Sequence, residues 1–400
     1  MPFSKNEKII LAILVSINFT HIMDVMIMMP LGDVFMNLFD ITPLQFSMLV
    51  SSYAVAAFFA SLLAVLYLDV FDRRKAMLFI VTGFTVGTYL CATAPSFLFL
   101  LIVRFATGLF GGVIGAMVLS VVSDVFKFER RGKALGWLMA GFSAAAALGV
   151  PFGLWLAEVF SWRVPFIVIG TFGLILLVIM FFYFPVMRGH LASVDKDRSI
   201  KKVFGLIFLD KNQVNALILG FILILGHFLI IPFIAPYMIR NVGFTQAQIT
   251  YIYLIGGLLT VFSSPLFGIW TDRHGAVKVF AILMVLSFIP VVWITQMGPT
   301  PVWLALVATS LFFVLGSGRM IPPQTLITAA ASPRSRGSFM SIKSALQQLS
   351  VALGSGVSGF VVVFDENEQL ANYEWVGYLS IAVCIVALFL APRIRVAEGN

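Results

Sequence analysis

The chain has 400 residues, 60% of them hydrophobic and only 11% charged, with a mean hydropathy of +1.02. A soluble domain is roughly half apolar and about a quarter charged, so the solvent for most of this chain is lipid and its class is a helical integral membrane protein. The net charge of +8 is not gathered into a face for nucleic acid, because the bases sit in short gaps between apolar runs.

At about twenty residues per crossing, spans fall near 9–31, 44–66, 76–94, 97–123, 133–157 and 164–185, and again near 213–238, 246–269, 276–296, 301–327, 338–364 and 374–392. Lys5 and Lys8 precede the first run, which is too long for a signal peptide, lacks a small-x-small cleavage site and is expected to stay as a helix. Alternate gaps then hold Arg73 to Lys75, Lys127 to Lys133, Arg188 to Lys211, Arg273 with Lys278, Arg334 with Arg336, and Arg393 with Arg395, whereas the gaps between them hold only Arg163 and Arg240. The basic side is cytoplasmic by the positive-inside rule, which puts both termini inside and makes the span count even. The expected domains are residues 1–187, a polar cytoplasmic linker over 188–212, and residues 213–400. No stretch outside the spans is long enough for a catalytic domain, and no His-Glu-x-x-His, Gly-x-Ser-x-Gly or suitably spaced acid pair is present, so no enzyme, metal or cofactor is expected. Cys91 and Cys384 lie in separate spans and read as small packing residues.

The two sets of six repeat. Pro30 and Pro236 are 206 residues apart, as are His21 and His227, and after a three-residue slip Asp69 falls on Asp272. Recurrence of several features at one offset indicates a duplicated half. Within the first span, Asn18, His21 and Asp24 recur every three residues and form a polar stripe on one side of a helix. Asp24 and Arg104, in span four, sit at matching depth from the outer side, too deep to reach the interface. Arg319, Lys343, Gln347 and Gln348 lie in spans ten and eleven, with Lys343 and Gln347 sharing a face. Arg319 and Lys343 are near the cytoplasmic end, where snorkelling to the interface is the expectation; facing a cavity instead, they would favour an anionic or polar substrate group.

Val65-x-x-x-Asp69-x-x-x-Arg73-Arg74 resembles the loop 2–3 signature of the major facilitator superfamily, and Gly268-x-x-x-Asp272-Arg273-x-Gly275 resembles its loop 8–9 counterpart. Arg104-x-x-x-Gly108-x-x-Gly111-Gly112 is similar to the family's span-four pattern, and Gly149-Val150-Pro151-Phe152-Gly153 to its span-five antiporter motif. In the first motif Val65 and Asp72 stand where the family usually has glycine. The resemblance spans the chain and is nearest to the twelve-span drug:proton antiporter and sugar-efflux branch.

It implies an all-α membrane fold of twelve transmembrane helices in two pseudo-symmetric six-helix bundles, a monomer in the inner membrane, with the proton gradient as energy source. The implied activity is proton-coupled export of small organic compounds by rocker-switch alternating access. Alternatives are a proton-coupled importer or uniporter of a sugar or organic anion, and a transporter-like receptor that does not translocate. Spans one and four of this family face the central cavity, which implies a direct or water-bridged Asp24–Arg104 contact, serving either function or helix fixation. Asp24, His21 and its repeat mate His227 are the candidate proton sites, because a buried imidazole or carboxyl can exchange a proton as a cavity opens to each side.

Among the loop motifs, Asp69 is expected against the start of span eleven near Gly337, Asp272 against span five near Gly132, and Arg73 against Asp124, as cytoplasmic-side contacts that govern conformation. The second half has no match for Asp124, its counterpart position lying near Ala329. Gly108, Gly112, Gly149, Pro151 and Gly153 are expected to allow close helix packing and a kink.

Overall fold

The computed structural model describes residues 3–67, 71–188, 205, 207–331 and 336–395, with backbone only for 65–67, 128–129 and 336–337. The fold is all-α, with twelve crossings in two six-helix bundles. The helices are α1 (Lys5–Ile27), α2 (Gly32–Phe39), α3 (Pro43–Tyr67), α4 (Arg73–Ala92), α5 (Phe97–Val125), α6 (Phe128–Ala144), α7 (Val150–Val159) and α8 (Arg163–Tyr183) in the first half. In the second they are α9 (Lys211–Tyr237), α10 (Gln246–His274), α11 (Ala276–Thr295), α12 (Val302–Gly318), α13 (Ile321–Ala329), α14 (Arg336–Val361) and α15 (Tyr373–Leu390).

The first N–H groups of a helix have no partner within it, and here side chains supply one at several starts. Ser4 with Glu7 and Thr245 with Gln248 form capping boxes, and Ser96, Asp72 and Asp210 cap α5, α4 and α9. Gly275 ends α10 at φ +86°, a conformation that side chains rarely adopt.

Among the described residues, eleven segments are long and apolar enough to cross a bilayer. The remaining crossing, α14, has 26 residues but carries Lys343, Gln347, Gln348 and several serines.

The same packing pattern appears twice. In the first half α1 packs on α6 and α8, and α4 on α5 and α8; in the second α9 packs on α14 and α15, and α11 on α12 and α15. Each half has its own apolar core, one around Leu14, Phe84 and Met180, the other around Leu219, Phe280 and Phe339. Small residues set the closest approaches, as expected where dispersion rather than hydrophobic exclusion drives association. A Cβ on Gly112 would stand 2.5 Å from Ala57 Cα, and one on Gly108 would meet the Tyr53 carbonyl oxygen. Gly149 and Gly153 lie against Met23 and Ile27 of α1.

Several elements depart from the expected spans. The first crossing ends at Ile27 rather than residue 31, and a short helix, α2, occupies 32–39. Span five widens to a π turn over Ala145–Gly149, one residue short of Pro151, which has no N–H to continue the α ladder. Span ten is broken: α12 stops at Gly318, and Pro322 and Pro323 open α13. The acidic loop between α14 and α15 holds a two-stranded antiparallel hairpin, Val363–Phe364 against Leu370–Ala371.

Chain packing also divides into two compact units in a way that no single cut within 188–212 reproduces. Met1–Met28 and Ser52–Arg198 form one unit, Met29–Ser51 and Ser199–Asn400 the other. Residues 29–51 join the second unit because their side chains meet it: Phe46 packs edge-on to Phe233, Ser51 donates to the Ala352 carbonyl at 3.0 Å, and Asp33 pairs with Arg240.

Candidate functional site

In the first unit, four helices bring one polar cluster together. Asp24 on α1 accepts from Arg104 Nη1 of α5 at 2.8 Å, both side chains being buried. The other carboxylate oxygen lies 3.1 Å from Thr88 Oγ1 of α4, whose single proton it shares with the Phe84 carbonyl. The Arg104 guanidinium sits 4.5 Å over the Tyr53 ring of α3, and the Tyr53 hydroxyl is 3.1 Å from His21 Nε2. His21 Nδ1 has no partner. Either the ring donates through Nε2 and leaves Nδ1 a bare lone pair, or it accepts there and leaves an Nδ1–H without an acceptor.

The cluster is charge-balanced. A buried carboxylate and guanidinium that share hydrogen bonds offset much of their desolvation cost, and stranding either one is expensive. Asn18, the third member of the stripe, donates instead to the Leu138 carbonyl of α6 at 3.3 Å. The stripe on α1 therefore splits between two neighbouring helices.

The second unit holds the repeat mate of His21 in a different setting. His227 stacks on Phe312 of α12, ring centroids 5.7 Å apart and planes 8° from parallel, and its Nδ1 has no partner. The two histidines face equivalent glycines: a Cβ on Gly111 would lie 3.4 Å from His21, and one on Gly316 would lie 3.3 Å from His227. The charges do not recur. At the 206-residue offset Asp24 falls on Ile230, and at the 205-residue offset from Gly111 to Gly316 Arg104 falls on Thr309. Ile230 and Thr309 are fully buried.

A fully buried arginine of the second unit, Arg319, stands at the break between α12 and α13. Snorkelling is overturned for it and for Lys343, whose exposures are 1% and 8%. Arg319 Nη1 donates to Ser287 Oγ of α11 at 3.0 Å and lies 3.8 Å from Met284 Sδ, while Nε and Nη2 have no partner. Neither Arg319 nor Lys343 makes an ion pair among the described residues. Gln347 is half-buried one turn beyond Lys343.

At the start of α4 in the first unit, Arg73 Nε donates to Asp124 Oδ2 at 3.1 Å. Arg74 donates to the Phe181 carbonyl and lies over its ring. Asp69 lies outside the described residues, as does most of the expected linker, residues 189–204 and 206. Asp72, which stands in place of a motif glycine, caps α4 through the Arg74 N–H and accepts from Arg188 Nε at 3.0 Å. Its partial burial raises the carboxyl pKa, but the bonds from Arg188, Arg74 and Met187 outweigh this and hold it below the ordinary value. In the second motif Asp272, Arg273 and Gly275 are exposed, and a Cβ on Gly268 would meet open space.

One cluster escaped sequence reasoning. Arg240 Nε pairs with Asp33 while its other nitrogens bond Asn37 Oδ1 and the Glu368 carbonyl, and the guanidinium lies 4.6 Å over Phe364. Its only advance signal was that Arg240 is one of two bases in the outer gaps. No group of three or more metal-ligating side chains is assembled among the described residues, and both cysteines are free and buried.

The family model described as Major Facilitator Superfamily matches residues 14–214 and 216–399. An uncharacterized MFS-type transporter of Bacillus subtilis, YbcL, is 25% identical over 320 residues, covering 80% of this chain and 79% of its own. A probable sugar efflux transporter of Helicobacter pylori is 28% identical over 254 residues, 63% of either chain. Among solved structures, a D-xylose–proton symporter superposes with a TM-score of 0.76 at 15% identity over 98% of both chains.

Proposed function

We propose, for a chain that belongs to the Major Facilitator Superfamily, that it is a secondary transporter exporting a small organic compound in exchange for protons. It is a multi-pass membrane protein; the alternating basic gaps lead us to place both termini on the cytoplasmic side, and family membership leads us to place it in the inner membrane as a monomer.

The observation that carries the reading is the buried Asp24–Arg104 pair with His21 alongside. Ionisable groups at membrane depth are costly, and their usual use is a relay or substrate path. Asp24 is held by two donors, Arg104 and Thr88, so freeing its carboxylate means parting it from Arg104. His21 has an unpartnered ring nitrogen and exchanges a proton without that step. A rocking motion that admits water to the cluster from one side and then the other, with the carboxylate released in one state, couples proton movement to alternating access. The name of the Helicobacter relative, a probable sugar efflux transporter, supports export over import.

The test is flux by purified protein in vesicles under an imposed pH gradient, with a panel of labelled sugars and lipophilic drugs. Substrate should accumulate on the proton-rich side in wild type, and Asp24→Asn and His21→Gln should lose gradient-driven accumulation while keeping substrate exchange at zero gradient. Accumulation on the proton-poor side would establish co-transport, and gradient-independent flux a uniporter. No flux at all would leave a receptor.

A further inference from the structure

Among the described residues the second unit buries two bases that no acid partners. Its buried charged residues there are Arg319, Lys343 and Asp33, and Asp33 is committed to Arg240. Arg319 has one hydroxyl and one thioether as its side-chain partners, leaving two guanidinium nitrogens unsatisfied at 1% exposure. A guanidinium cannot shed its charge at any accessible pH, so the usual escape of a buried base is closed. Sequences do not keep such a group at membrane depth for stability, because an apolar side chain of similar volume packs at lower cost. The chain is also interrupted there: α12 ends at Gly318 and α13 opens with two prolines, and helix breaks at this depth are tolerated where they line a path or are enclosed by protein.

We propose that Arg319 is the receiving group of an anion site within the second unit and that the transported compound bears a carboxylate on an apolar body. This rests on the transport reading and names the substrate class for it. The fork of Nε and Nη2 presents two donors to one carboxylate, the bidentate geometry that distinguishes arginine from lysine. His227 lies against Gly316, three residues before Arg319, and offers, with Phe312, a stacked aromatic surface for the apolar portion of the ligand. Met284 adds a polarizable thioether beside the guanidinium. A bilayer phosphate is disfavoured as occupant, since Arg319 is closed off within its unit rather than exposed at a headgroup level.

The experiment is thermal unfolding of the full chain in detergent, titrated with benzoate, with its neutral isostere benzamide, and with a short-chain phosphatidylglycerol. Benzoate should raise the midpoint of wild type in a concentration-dependent way while benzamide and the lipid leave it unchanged. Arg319→Gln should abolish the benzoate response with an unliganded midpoint equal to or above wild type, because a buried uncompensated charge has been removed; Arg319→Lys should retain a weakened response.

A benzoate shift that persists in Arg319→Gln, an equal shift with benzamide, or a response confined to the lipid would overturn the proposal. So would an Arg319→Gln protein that is destabilised without ligand, since that shows a structural partner for the guanidinium. Flux of neutral sugars in vesicles with no benzoate response removes the anion site and leaves transport standing. A benzoate response lost in Arg319→Gln with no flux of any labelled carboxylate does the reverse.

Discussion

The two halves place a buried arginine on repeat-related helices and treat it in opposite ways. Arg104 on α5 has a carboxylate at 2.8 Å, an aromatic face at 4.5 Å and a neighbouring imidazole–phenol pair. Arg319, where α12 ends, has a serine hydroxyl, a methionine sulfur and two idle nitrogens. The duplicated framework is kept: the histidines, their glycine contacts and four helix pairings recur. What diverged is the charge, with Asp24 answered by Ile230 and Arg104 by Thr309. The difference teaches that the repeat keeps its packing because backbone approach tolerates little change, while its ionisable side chains are under no such constraint.

Breaking the first pair should have the largest effect. Asp24→Leu strands the Arg104 charge and should cost about 3–5 kcal/mol, whereas Asp24→Leu with Arg104→Met should recover most of it; thermal unfolding of the three variants measures the coupling. Equal losses from Arg319→Gln and Asp24→Leu would erase the contrast.

Supplying the missing partner sharpens it. Ser287→Asp puts a carboxylate where Arg319 already donates, a charge-assisted bond worth about 1.5–3 kcal/mol, and should raise the unfolding midpoint while abolishing any response to benzoate.

The packing framework predicts a similar or smaller loss. Gly112→Ala forces a methyl into the Ala57 backbone and should cost about 1–3 kcal/mol, while Gly268→Ala, into open space, should not lower the midpoint.

The smallest effect is at the loop. Asp72→Ala removes a helix cap and should cost about 1 kcal/mol at neutral pH. Because the folded carboxyl is held below its ordinary 3.8, that contribution is complete above this value and is lost as pH falls through the lower folded value. The difference between wild type and variant should close in acid.

Sequence alone was enough to determine the class, the apolar runs, the repeat and the deep charges, because lipid imposes length and apolarity on every crossing and leaves each ionisable residue conspicuous. Even so, the run at 9–31 concealed the end of α1 at Ile27, since the turn before α2 is as apolar as the helix, and the prolines of span ten left its break point unspecified. Tertiary structure decided what each charge meets. Asn18, His21 and Asp24 share a stripe in sequence yet part company among α6, α3 and α5, and Arg319 and Lys343 turn inward rather than to the interface. A side chain's partner depends on the approach of helices far apart along the chain, and no local periodicity encodes that. Hydropathy therefore places a residue at a depth in the membrane, and only the packed helices determine whether a counter-charge waits for it there.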